Sequence, residues 1–343
     1  MPFAVAKPTG YTVDTGHAKC PTRLWMLDEG TGTAAVDQGS GTARDMTLQS
    51  ASMWGSDALG QYITVNSTSS YYAKTANASV WNASGGLLLI AIVKTDAATG
   101  PATTEFWFGT HNSAAAGAEC AIRNTTTNSR AQAWGVADDA SGVSVNSGTD
   151  IYDQAWHMVA AKFKAGSATS CCAVSIDGGA FTADASDTLG ATITLDRYAL
   201  GARARSSING LANGKILAAM AYEAGTYATW DDAWIANLYA DPWQFLSTAP
   251  ALTTKVKIFA PAAAASAASI QGVVLNATRD TVIGEFTGQT FEAALEAGEA
   301  VLKIDVADIT PDGATLTTSD APLVVAYNTS YSTDLAAATV IEE

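Results

Sequence analysis

The sequence predicts an all-β protein, and three observations carry that prediction. Short apolar runs recur between Gly, Asn, Asp and Ser clusters: "YITV" (62–65), "LLLIAIVK" (87–94), "EFWFG" (105–109), "AQAWGVA" (131–137), "WHMVAAKF" (156–163), "CAVSID" (172–177) and "ILAAMAY" (216–222). Runs of this length bounded by turn residues are strands. Hydrophobic residues make up 48% of the chain and charged ones 15%, the balance of a packed core and not of a disordered segment. Only "YATWDDAWIANLYADPW" (227–243) has helical spacing, with Trp230, Trp234 and Leu238 four residues apart and Pro242 as a stop. The sum is a two-sheet antiparallel sandwich closed by one short helix.

Within the predicted sandwich, "WHMVAAKF" and "CAVSID" alternate as half-buried strands do, whereas "GGLLLIAIV" (85–93) is nearly continuous, as in a strand covered on both faces. At 343 residues the chain exceeds the usual single-domain size. All nine Trp and all three His precede residue 250, while 251–343 holds no Trp, 4 basic and 12 acidic residues. The Pro/Ser/Thr passage "LSTAPALTT" (246–254) falls where composition changes, so the first domain is placed at 1–247, with a short N-terminal arm at 1–10, and the linker at 248–254. Beyond it "KVKIFA", "IQGVVLNA", "TVIGEF", "VLKIDV", "ATLTT" and "PLVVAYNTS" predict further strands, and a small immunoglobulin-like sandwich is the expected fold of 255–343. "TFEAALEAGEA" (290–300) suits either a helical turn ended at Gly298 or a loop of that sandwich.

A net charge of −15 and a pI near 4.5 speak against a nucleic-acid or anionic-membrane surface, which depends on clustered Lys and Arg. The longest apolar run, 85–93, is far short of the ~20 residues a membrane-spanning helix needs. "MPFAVAKPTGYTVD" lacks the basic start and apolar stretch of a signal peptide and is expected to be mature sequence. Cys20, Cys120, Cys171 and Cys172 have no CxxC spacing, and neighbouring residues on a strand point to opposite faces, so free thiols are expected in place of a zinc site or a disulfide framework.

Several stretches, in order, resemble a concanavalin A-like jelly roll of the laminin-G-like kind. "LWMLDEGTGTAAVDQGSGTARDMTL" (24–48) is similar to the family's opening strand with its "W-x-L-D-E-G-S-G" turn, "WHMVAAKF" to its "WHHVA" strand, "VSIDGG" to the following hairpin, and "YALGARARSSINGLANGKILAAMAY" (198–222) to the "IGAR…GKIDEVRIY" return. The resemblance covers roughly 11–245. "DPWQFL" (241–246) after a short helix is similar to the end of such domains carried by tailed phages. In the family the return strand carries acidic residues after "GKI"; here Leu217 and Ala218 follow Ile216. That departure bears on whether Asp28, Glu29, Asp37 and Asp45 gather calcium, because such a site needs about six to eight oxygen ligands, several of them charged. Asp37 and Asp45 are the weak calcium candidates. Asp and Gly are also the ordinary residues of tight turns, and that reading outweighs a metal site.

Glycoside hydrolases share this fold and need two facing carboxylates. The "E-x-D-x-x-E" strand of the laminarinase-like branch is missing, and "KIDVAD" (303–308) lies in the other domain without the leading Glu. His157 after Trp156, with Cys171 and Cys172 beyond a turn, offers a Cys–His pair only if the fold joins them, and a plain sheet histidine is the stronger reading. Sugar binding fits better: it uses an aromatic face against a pyranose and Asp, Asn, Gln or Arg on its hydroxyls. Trp54, Tyr71, Tyr72 and Trp81 are loop-proximal, "STSSYYAKTANASVW" (67–81) has the composition of a binding loop, and Arg203 and Arg205 lie on what resembles the apical hairpin; Trp107 and Trp134 sit in strands of unresolved facing. The expectation is a non-enzymatic structural protein of a tailed-phage virion, a head decoration, fibre or tail component assembled in the host cytoplasm. Its partners would be other virion proteins and copies of itself, as in a trimer, and it would display a lectin-like domain to host polysaccharide. A free lectin is the alternative, and a hydrolase stands third.

Overall fold

The computed structural model describes residues 2–77, 85–114, 117–126, 128–138, 142–166, 170–185, 188–223 and 225–247 in full, and the backbone alone of the strand residues at 81–82, at 248 and beyond 255. The chain divides into two compact units, Met1–Lys7 with Val13–Leu246, and Pro8–Thr12 with Ser247–Glu343.

The first unit is an antiparallel β-sandwich. One eight-stranded sheet runs, edge to edge, through Gly142–Asp150, Arg130–Val136, Glu119–Asn124, Glu105–His111, Arg197–Leu200, Ala73–Thr75, Met46–Leu48 and Ala34–Ala35. The other runs through Thr182–Ala183, Cys172–Ile176, Trp156–Phe163, Leu87–Thr95, Gly214–Tyr222, Gly60–Val65 and Trp54–Asp57. Gly214–Tyr222 pairs along Leu87–Thr95 on one side, and its other side is shared end to end by Gly60–Val65 and Arg23–Trp25. The core between the sheets holds Trp25, Trp107, Phe108, Phe163 and Tyr198. Trp25, Phe108 and Tyr198 meet ring to ring, with centroids 5.2 to 6.0 Å apart. Burying a large apolar side chain of this kind contributes roughly 1.5–3 kcal/mol.

The continuous run 87–93 is fully buried, as its composition predicts for a strand covered twice. "WHMVAAKF" departs from its apparent alternation, because all eight residues of Trp156–Phe163 are buried. The cause is cover on the outer face. The backbone N–H of Phe3 donates to the Trp156 carbonyl at 2.7 Å, and Lys162 Nζ donates to the Trp230 carbonyl at 2.7 Å.

The helix begins at Asp232, later than its spacing suggests, because Asp231 caps it: the Asp231 carboxylate accepts from the Trp234 N–H at 2.8 Å. It runs to Ala240, just before Pro242, and buries Ile235 and Leu238, while Tyr227–Thr229 forms a separate 3-10 turn. Residues 2–7, within the predicted N-terminal arm, are tied down. Phe3 is buried, and Lys7 Nζ donates to the carbonyls of Met26, Leu27 and Leu217 at 2.6, 3.1 and 3.0 Å. Burial lowers the Lys7 ammonium to about 8 against the opposing pull of Asp28, Glu29 and Asp57.

In the second unit Thr12 Oγ1 lies 3.0 Å from Ser247 Oγ. Val256–Pro261 pairs with Glu299–Ile304, and a five-stranded antiparallel sheet runs through Thr310–Pro311, Val282–Gln289, Ile270–Leu275, Leu323–Asn328 and Asp334–Thr339. Residues 290–298, left open between helical turn and loop, lie outside the described residues. Among the described residues no helix is long and apolar enough to cross a membrane.

Candidate functional site

Three neighbouring strands of the first sheet, Glu105–His111, Glu119–Asn124 and Arg130–Val136, present a polar and aromatic outer face. Side-chain alternation sends Cys120, Ile122, Ala131 and Ala133 into the core, leaving Glu119, Arg123, Gln132 and Trp134 on the opposite side. A bulge at Trp107 re-phases the first strand. Phe106 pairs with Arg123 and Phe108 with Ile122, so Trp107 and Phe108 both turn inward while Phe106 turns out.

Glu119, fully buried, organises this face. Arg203 Nε and Nη2 donate to its two carboxylate oxygens at 2.7 and 2.6 Å, and Trp134 Nε1 donates to Oε1 at 2.6 Å. Burial alone would raise the Glu119 carboxyl, but His111, Arg203 and Trp134 outweigh it and hold it at about 2. His111 Nδ1 stands 3.5 Å from Glu119 Oε2, and neither ring nitrogen has a hydrogen bond among the described residues. Desolvation pushes the fully buried imidazole below its usual range against the opposing pull of Glu119.

A row of polar side chains crosses the strands beside Trp134. Arg123 Nε donates to Gln132 Oε1 at 2.6 Å, Gln132 Nε2 donates to Asn146 Oδ1 at 3.1 Å, and Asn128 Nδ2 donates to the same oxygen at 3.2 Å. The row ends at Asn146, which is exposed, and Trp134 and Arg123 are half-buried. Chemically this is a fixed indole bordered by amide and guanidinium groups.

Of the residues singled out in the sequence, Arg203 belongs to this face. Arg205 does not join it: the residue is half-buried and its carbonyl accepts from Arg197 Nη1 at 3.4 Å. Trp54 and Tyr71 share a different rim. Trp54 Nε1 donates to the Gly32 carbonyl at 2.9 Å, the Tyr71 hydroxyl lies 3.3 Å from Ser52 Oγ, and both rings pack against the core. Tyr72 beside them is half-buried, and burial pushes its phenol up. Trp81 lies in the strand Trp81–Asn82, paired with Leu195, and its side chain is outside the described residues.

Three of the carboxylates of 28–45, those of Glu29, Asp37 and Asp45, are bonded to backbone N–H groups. Asp37 accepts from the N–H groups of Leu24, Gly39 and Arg44 at 2.9, 3.0 and 2.9 Å, with Arg23 Nη1 3.5 Å away. Asp45 accepts from the Asp37 N–H at 2.9 Å and Glu29 from the Val36 N–H at 2.6 Å. A carboxylate surrounded by three amide donors and a guanidinium does not fit calcium, which needs oxygen ligands. Among the described residues no group of three or more His, Cys, Asp and Glu is placed to hold a metal ion.

His157 meets no cysteine. Its Nδ1 lies 2.8 Å from Asp177 and its Nε2 2.9 Å from Asp153. The four cysteines form no disulfide, and Cys120, Cys171 and Cys172 are buried. Trp107 is a core residue whose Nε1 donates to Asn124 Oδ1 at 2.7 Å; Trp134 is the outward one. Sequence reasoning missed Glu119, Arg123 and Gln132. The alternation of "ECAIRN" and "RAQAWGV" carried the signal, but only the pairing register of the two strands joins them on one face.

No protein-family model matches the chain, and no curated protein matches it. Among solved structures it is similar to the Trypanosoma rangeli sialidase in complex with sialic acid, at 14% identity and a TM-score of 0.45, over 71% of this chain and 36% of that one. It is also similar to domain 4 of AbnA, a GH43 extracellular arabinanase from Geobacillus stearothermophilus, in complex with arabinotriose, at 13% identity and a TM-score of 0.43, over 64% of this chain and 98% of that one. A third likeness is to the binding domain of Paraclostridial Mosquitocidal Protein 1, at 8% identity and a TM-score of 0.46, over 94% of this chain and 73% of that one. The chain thus spans 36% of the length of the sialidase.

Proposed function

We propose that the chain is a non-enzymatic, glycan-binding β-sandwich module whose binding surface is the outer sheet face around Trp134. The observation that carries this is the Trp134 indole, held by Glu119 on its N–H and bordered by the Arg123–Gln132–Asn146 row. An aromatic ring beside planar donors and acceptors matches a sugar, which offers an apolar ring face and hydroxyls at its edge. The carboxylate bonded to Trp134 supports the non-enzymatic reading of this face. A glycoside hydrolase needs one carboxyl protonated near neutrality, and Glu119, at about 2 and bonded by Arg203 and Trp134, is a structural anion.

We further propose, from the resemblance of 11–245 and of "DPWQFL" to phage-borne laminin-G-like domains, that the module is displayed on a tailed-phage virion. A free lectin using the same face is the alternative.

The test is a glycan array of bacterial surface polysaccharides, probed with the intact chain and with Trp134→Ala. The expected result is binding that falls at least about tenfold in the variant, since removal of a stacking aromatic typically costs more than 1 kcal/mol. Silence of the intact chain, or binding indifferent to Trp134→Ala, overturns the glycan reading. Release of reducing ends from a bound polysaccharide overturns the non-enzymatic one. Mass spectrometry of purified phage particles decides the virion assignment, with a fixed copy number expected.

A further inference from the structure

A cavity of about 410 Å³ opens on the other sheet, lined by Lys162, Ser170, Phe181, Tyr227, Asp231 and Asp232 among others. None of these belongs to the Trp134 face. The volume lies within the ~300–1,000 Å³ of small-molecule pockets.

Its polar groups are arranged in an unusual way. Lys162, 8% exposed, places Nζ 4.3 Å from the Phe181 ring centroid and 4.4 Å from that of Tyr227, with the Trp230 carbonyl as its hydrogen-bond acceptor. The Tyr227 hydroxyl is buried and has no partner among the described residues. A buried hydroxyl without a partner costs about 1–3 kcal/mol, so a group is retained here that a ligand can satisfy. At the mouth, Asp231 uses one oxygen on the Trp234 N–H and Asp232 one on the Phe181 N–H, which leaves each a second oxygen for an incoming donor.

Charge then selects the ligand. Two carboxylates against one ammonium leave the pocket net negative, which repels acidic sugars, phosphates and carboxylates. A simple organic cation finds the space between the two rings already filled by Lys162. A neutral ligand with an apolar face and several hydroxyls suits the groups that remain: apolar walls from Phe181 and Tyr227, acceptors from Asp231 and Asp232, and donors from Lys162 and Tyr227. We infer that this pocket is a second ligand site, separate from the Trp134 face, and that it takes a single neutral pyranose unit.

The experiment is saturation-transfer NMR on the full chain with the methyl glycosides of glucose, galactose and mannose, and with methyl glucuronide as the charged counterpart. At least one neutral glycoside is expected to receive saturation. Tyr227→Phe, which removes one oxygen and no packing volume, should weaken that binding about five-fold, the scale of one hydrogen bond. Phe181→Ala should abolish it, and Trp134→Ala should leave it unchanged. Absence of transfer to all three neutral glycosides overturns the inference. So does binding indifferent to Tyr227→Phe, binding lost in Trp134→Ala, or methyl glucuronide binding as well as methyl glucoside. Because the two sites share no residue, failure here leaves the Trp134 proposal to its own test.

Discussion

The guanidinium carbon of Arg123 lies 3.7 Å from the centre of the Trp134 ring, a stacked cation–π contact across two adjacent strands. Burial of this group lowers the Arg123 guanidinium to about 10, so the cation is costly to strip of water and holds its ring and its Gln132 partner in place. The face is therefore held by its own hydrogen bonds and ring contact, and these depend on the carboxylate beneath it.

That carboxylate makes the domain acid-labile. Glu119 sits at about 2, below its ordinary 4.5, so its contribution is complete above pH 4.5 and is shed as pH falls through the interval down to 2. His111, buried among Glu119, Arg203 and Arg197, is pushed below 6.5, so protonation favours the unfolded chain and stability declines as pH drops beneath 6.5. Glu119→Gln is expected to lower stability at pH 7 by about 2–3 kcal/mol, since a half-exposed arginine loses less than the about 3–5 kcal/mol of a fully buried pair. The gap from the unmodified chain should narrow toward pH 3 in denaturant titrations. A gap that stays constant from pH 7 to pH 3 would falsify the assignment of the acid lability to Glu119.

His157 works with the opposite sign. Burial depresses its imidazole, but hydrogen bonds and charge from Asp177 and Asp153 win and raise it above 6.5. Its stabilisation is full below pH 6.5 and is lost as pH rises through the raised folded value. His157→Asn should cost about 1–2 kcal/mol at pH 6, the scale of charge-assisted bonds, and much less at pH 9. Urea midpoints at the two pH values measure this; equal losses at both would mean the histidine acts by shape alone.

Asp37 is expected to behave as a turn residue and not as a ligand. Asp37→Ala strands three backbone N–H groups, while Arg23 keeps its pair with Glu223, so a loss of about 2–3 kcal/mol is expected from desolvated, unpaired donors. Excess calcium should leave the melting midpoint of the intact chain unmoved, since a cation that binds only the native state must raise it. A calcium-dependent rise of several degrees, abolished by Asp37→Ala, overturns the turn assignment.

The sheets were legible where composition alone decides. Leu87–Val93 is apolar at every position because both faces are covered, and the helix announced itself through the spacing of Trp230, Trp234 and Leu238 and through Pro242. The alternation of "WHMVAAKF" misled, since Ala160, Lys162 and His157 are compatible with exposure yet all are buried. Lys162 in particular is buried by its contacts with Phe181, Tyr227 and Trp230, none adjacent to it in sequence. The site was harder to see for the same reason. Trp134 and Glu119 are recognisable strand residues, but their bond exists only in one register, and Arg203 arrives from a hairpin 84 positions beyond Glu119. Trp54 and Tyr71, chosen for lying near loops, turned out to lean on the core.

The extra residue at Trp107 has a genetic consequence. Between Glu105 and His111 the chain spends one position without advancing its partner, which is what lets Phe106 look outward while Phe108 looks inward. Deleting that codon would leave Phe106 and Phe108 on opposite faces, as consecutive strand residues stand, and would take the Trp107 indole and its bond to Asn124 out of the core. Loss of that single codon should therefore act as the loss of a buried indole and not as a shift of register, and a homologue without the position should fill the same volume from another strand.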